Sequence, residues 1–190
     1  MNFTALLVTS LANQLSAVSG WLDKAEAFAA ERPGGPDGLL ALRLAPDMFP
    51  LTTQLRFLAF QAREPVYRLR GEAVPEAVLA IRQEGRDGAE RPGTWAEARA
   101  RVAGTSDFLA AVGPDELDPA ADRPIVHELP NGMVFDMTGG QYVRDWALPQ
   151  AAFHQMIAYA ILRQAGVPLG KVDYVPHMFG YLRPGTAPSA

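Results

Sequence analysis

The sequence predicts an all-α protein, an up-down-down-up four-helix bundle with a small β-hairpin before the last helix. Three observations predict it: apolar seams at helical spacing, a long link between the second and third helices, and two short alternating runs around Asn131-Gly132. Antiparallel neighbours in a bundle need only short loops, so a long link lets helices two and three run parallel. At 190 residues, nearly half of them hydrophobic, the chain can bury one sizeable core.

The first thirty residues read as one amphipathic helix. Leu11, Leu15, Val18, Leu22, Ala25 and Ala29 recur in steps of four and three. The run "RPGGPDG", Arg32 to Gly38, stops it with glycine and proline. A second helix is expected from Asp47, read as its N-cap, with Pro50 in the first turn. Its seam is Leu51, Leu55, Leu58, Ala62, Val66 and Leu69, and Pro65 is expected to kink or end it. The link from about Gly71 to Gly93 has room for a short helix at Pro75 to Gln83.

Thr94 followed by Glu97 is a capping box and opens the third helix. "PIVHELPNGMVFDMT" then reads as a hairpin, because two short alternating runs flank Asn131-Gly132, the strongest short hairpin signal a sequence offers. Its alternation places His127 on the surface. The fourth helix begins at Thr138, paired with Gln141 in a second capping box, and ends at Gly166 with Pro168 beyond. Pro149 should break its ladder, since the ring displaces the carbonyl of Asp145. The folded domain is expected over residues 1–174. Residues 175–190 form an aromatic, then Pro/Gly/Ala-rich tail whose end, "RPGTAPSA", is expected to fray.

Composition excludes several function classes. A net charge of −4 argues against nucleic acid, which demands a basic patch. The chain has no cysteine, so disulfides, thiolate metal sites and cysteine nucleophiles are excluded. The N-terminus carries no basic residue before Lys24 and so lacks the charged head of a signal peptide. No run is apolar enough to cross a bilayer, and a soluble cytoplasmic protein is expected. There is no P-loop, no dinucleotide fingerprint and no G-x-S-x-G elbow. The glycine pair of "TGGQ" belongs to a helix start, which usually just caps.

Two motifs carry a family resemblance: "LRLAPDMFPLTTQ" at Leu42 to Gln54, and "ALPQAAFHQMIAYAILRQAGVPLGKVDY" at Ala147 to Tyr174. With "TGGQYVRDWALP" before the second, the chain resembles the DinB/YfiT-like four-helix bundles. Within them it is similar to a branch of uncharacterised microbial proteins, domain-of-unknown-function family 1993. The resemblance covers the chain to about Tyr174 and implies the DinB-like fold. It also implies a metal site inside the bundle, with one histidine from helix two and a His or Glu followed four residues later by His from helix four. Members with that site include thiol-dependent transferases and isomerases. Here the matching positions are Gln61, Gln150 and His154, so one strong ligand of three is present.

His154 lies on the seam Ala147, Ala151, His154, Ala158, Ile161, Ala165 and faces the bundle interior, with Gln150 one turn earlier on the same face. The alanines beside it leave room for a ligand or water. Counted from one end of the bundle at the standard rise, Gln61 lies roughly 21 Å in, Gln150 roughly 22 Å and His154 roughly 16 Å, so the three can meet. Either His154 is a neutral buried ring bonded to Gln61, Gln150 or a backbone carbonyl, or it is part of a ligand pocket or of a weak metal site.

The expected function is accordingly a small-molecule-binding or non-catalytic bundle with a degenerate site at His154, Gln150 and Gln61. It would use no cofactor or a weakly bound zinc or nickel ion, take a small-molecule ligand in the core, and bind neither nucleic acid nor membrane. The alternative is a metal-dependent transferase or isomerase using a low-molecular-weight thiol. The apolar tail residues Val175, Met178, Phe179, Tyr181 and Leu182 point to a homodimer. His177 reads as a packing or interface residue.

Overall fold

A computed structural model describes residues 2–129 and 131–186. Four long helices form the body: α1 (Phe3–Ala29), α2 (Leu51–Arg70), α4 (Trp95–Ala110) and α6 (Leu148–Gln164). A shorter α3 (Glu76–Arg86) fills the link between α2 and α4. Strands β1 (Pro124–Glu128) and β2 (Val134–Thr138) pair antiparallel, His127 opposite Phe135. The helical turn α5 (Gly139–Gln141) and a π-helical segment (Tyr142–Ala147) lead into α6. After α6 come α7 (Lys171–Tyr174) and a 3-10 segment (Pro176–Tyr181). The last four residues of the tail lie outside the described residues.

Side-chain contacts fix the helix directions. Arg99, at the start of α4, pairs with Asp23 and Glu26 near the end of α1, so these two run antiparallel. Thr52 donates to the carbonyl of Pro92 just before α4, and Arg63 donates to the carbonyl of Gly104 within it, so α2 and α4 run parallel. Gln14 meets Gln155 and Trp21 meets Tyr159, so α1 and α6 are parallel as well. The order is up-down-down-up. The seams of α1 and α2 are buried at every expected position, and they share one core with Ala147, Ala151, Ala158 and Ile161.

Local chemistry explains most element ends. Both capping boxes form: Thr94 with Glu97, and Thr138 with Gln141. The amides of Gly139 and Gly140 donate to the carbonyls of Arg123 and Ala121, so this helix start is tied to the preceding loop. Gly71 ends α2 at φ +75°, the left-handed conformation that glycine adopts without penalty. In the hairpin turn, Gly132 has φ +86° and Asn131 Oδ1 accepts from the Met133 amide. At the N-terminus, Asp118 Oδ1 accepts from both the amide and the hydroxyl of Thr4, whose Oγ1 accepts in turn from the Leu117 amide.

Three expectations need correction. Asp47 lies before the helix, which starts at Leu51 with Pro50 as its N-cap. Pro65 does not end α2, which runs on to Arg70. The Glu64–Arg68 pair spans the proline: Arg68 Nε and Nη2 both donate to Glu64 Oε1, at 3.0 and 2.8 Å, and hold the turn together. His127 is buried rather than on the surface, because β1 turns Ile125 and His127 inward. Pro149, by contrast, interrupts its ladder as expected. The π-helical turn just before it widens the helix where the proline ring would strike the Asp145 carbonyl.

Candidate functional site

The α2–α6 contact carries the site. Gln54, one turn into α2, donates from Nε2 to the carbonyl of Phe49 at 3.1 Å. Its Oε1 therefore faces α6, 2.9 Å from His154 Nδ1. Because Oε1 can only accept, Nδ1 carries the proton and Nε2 the lone pair. Burial pushes the His154 pKa down to about 4, so the ring is neutral near pH 7.

Aromatic rings fill the space that the neighbouring alanines leave. Phe57 meets the imidazole edge-on at 5.1 Å, Phe153 at 5.4 Å, and Phe49 stands against Phe57 at 5.6 Å. Phe57 is held from behind by Gly85 of α3, where any side chain would overlap its ring. Phe49 and Phe153 are half exposed, at 46% and 56%, and form a rim around the half-buried histidine.

Of the sequence-derived site residues, the structure places His154 and Gln150 one helical turn apart on α6. The amide that reaches His154 is that of Gln54, two turns before Gln61. Gln61 stands roughly 10 Å further along α2, and its buried Oε1 has no partner. Gln54 and Gln61 stand seven residues apart on one face of α2, so periodicity alone does not choose between them, and the relative level of the helices decides.

A metal held in the superfamily's manner needs strong donors converging on one point. The local set is one imidazole nitrogen, with Nδ1 already engaged, and neutral amides. Among the described residues no three His, Cys, Asp or Glu side chains come together. Such donors do not fit a tightly held zinc or nickel ion.

The architecture and the position of His154 on the last helix define a DinB-like bundle. The crystal structure of a DinB family member from Shewanella denitrificans matches 97% of this chain with 95% of its own, at 30% identity and a TM-score of 0.73. The chain belongs to the family described as a domain of unknown function (DUF1993), whose profile matches residues 3–175. No curated protein sequence matches it significantly. No helix among the described residues is long and apolar enough to cross a membrane.

Proposed function

We propose that the protein is a cytoplasmic, small-molecule-binding bundle in which amides have replaced the imidazoles of the superfamily's metal site. The observation that carries this reading is the Gln54–His154 hydrogen bond. It spends Nδ1 on an amide, keeps the ring neutral, and leaves Nε2 as a lone acceptor behind an exposed phenylalanine rim. Such a site takes a planar ligand with one N–H or O–H donor and holds metal only weakly. The exposed apolar residues of the C-terminal segment supply a surface for a second copy, and the functional unit is a homodimer.

Zinc-dependent melting tests the site. Native protein should show almost no rise in Tm with zinc. Gln54→His/Gln150→His should gain one, worth about 2.7 kcal/mol when free zinc stands a hundredfold above Kd, whereas Gln61→His/Gln150→His should gain none. Indole, a planar donor, should shift the His154 ring resonances of the native protein at millimolar concentration. A strong zinc or nickel effect in the native protein overturns this reading in favour of a metal-dependent transferase.

A further inference from the structure

A second group of polar atoms lies along the α2–α6 seam beyond the His154 site. Gln61 Oε1, Trp146 Nε1, the Tyr142 hydroxyl and both ring nitrogens of His127 are buried without a hydrogen-bond partner. His127 is 4% exposed and Tyr142 0%. The His127 ring lies 4.5 Å from that of Trp146 and 5.5 Å from that of Tyr142. Because α2 and α6 run antiparallel with Gln54 opposite His154, seven residues along α2 bring Gln61 level with Ala147, beside Trp146. Tyr142 stands further on, beside Glu64 and Arg68. Buried polar groups are ordinarily satisfied, so the unpartnered nitrogens of His127 and Trp146, with Tyr142 against His127 and Gln61 at the neighbouring level, mark a site that something else completes.

We propose that the β-hairpin closes over a binding site for a small, neutral, planar molecule with adjacent hydrogen-bond donor and acceptor, an amide or lactam, held by Trp146, His127, Tyr142 and Gln61. The donor set selects this class. Gln61 offers an acceptor, Trp146 a donor, and neutral His127 one of each. Charge is excluded from both sides. A carboxylate would lie near Glu64, while a cation would face Arg68 and Arg82, which flank His127. Arg68 is already committed twice to Glu64, and the Arg82 guanidinium lies over the Phe60 ring. The surroundings are rings in mutual contact, with Phe135 6.0 Å from Trp146, so a flat guest enters by stacking as the hairpin lifts.

Access comes from the hairpin. Its two strands pair only with each other, and such a ribbon is marginally stable by itself. Its outer face carries the exposed Val126 and Val134, while His127 lies on the inner face with Ile125 beside it and Phe135 opposite it. The floor is the π-helical segment, an irregularity frequent at functional sites.

Indole N–H resonances of 15N-labelled protein provide the test, with the Trp146 signal assigned from Trp146→Phe. Uracil and 2-pyridone at millimolar concentration should shift the Trp146 Nε1–H signal saturably. Benzoate and benzylamine, of similar size but charged, should not. His127→Leu should weaken lactam binding at least tenfold, and His127→Gln, which keeps one donor and one acceptor, should weaken it less and serves if the leucine variant does not fold. No saturable shift with either lactam overturns the proposal, leaving a bridging water as the occupant. An equal response to benzoate, or one that survives in His127→Leu, overturns it as non-specific aromatic docking. The response of His154 to indole should persist in His127→Leu, so this site and the His154 site can fail independently.

Discussion

At the residue scale, two histidines dominate the pH behaviour. His127 and His154 are each pushed down to about 4, chiefly by burial, with Arg68 and Arg82 adding to the effect on His127. Both folded values lie below the ordinary 6.5, so the unfolded chain takes up protons first as pH falls. Their contribution to stability is full above about pH 6.5 and is lost progressively between 6.5 and 4. The loss is on the order of 2–3 kcal/mol for each ring. Urea denaturation at pH 7.5 and 4.5 should show it, and His127→Leu should remove about half. An equal pH dependence in that variant would contradict the burial of a neutral His127. His154 was legible in the sequence as an inward residue, but its partner was not. Levels counted from flush helix ends favour Gln61, whereas the structure aligns His154, ten residues before the end of α6, with Gln54, three residues into α2. The last helix overshoots by about two turns, and no local signal encodes that.

At the scale of elements, the chemistry of a few neighbouring residues was enough wherever it decided the outcome. Capping boxes, the Asn-Gly turn and the proline just after the π-helical turn all act within a few residues of themselves. Pro65 does not end α2 because its turn is held by Glu64 and Arg68 and by burial in the core, which are tertiary facts. Gly139 is another case. A side chain there would strike the carbonyl oxygen of Ala120, whereas Gly140 leaves ordinary clearance. Gly139→Ala should therefore lower stability by about 2–3 kcal/mol, and Gly140→Ala should stay within about 0.5 kcal/mol. Thermal melts of the two variants check this directly, and equal Tm values would mean that the α5 start can move away from its loop.

At the scale of the molecule, the parallel placement of α2 and α4 follows from the length of the link between them. That length is plain in the sequence, so the topology was legible. The placement of the C-terminal segment was not, because it depends on Trp21, whose indole donates to the Asp173 carbonyl at 2.7 Å and stacks on Tyr174. Beyond that anchor Met178, Phe179, Tyr181 and Leu182 stay exposed. Sedimentation should therefore give a dimer at micromolar concentration, and Phe179→Ser/Leu182→Ser should give a monomer with nearly unchanged Tm. A monomeric native protein counts against self-association through this surface.

The clasp between Thr4 and Asp118 has a consequence for biosynthesis. The first turn of α1 leaves the ribosome well ahead of its carboxylate partner, which is more than a hundred residues behind it. Until that partner emerges, the Thr4 amide is a bare helix-start donor and the turn has reason to fray. The bundle also lacks its fourth wall until α6 arrives. Until α6 emerges the nascent chain thus holds an apolar α1 face open, an interval in which a holding chaperone has a surface to grip.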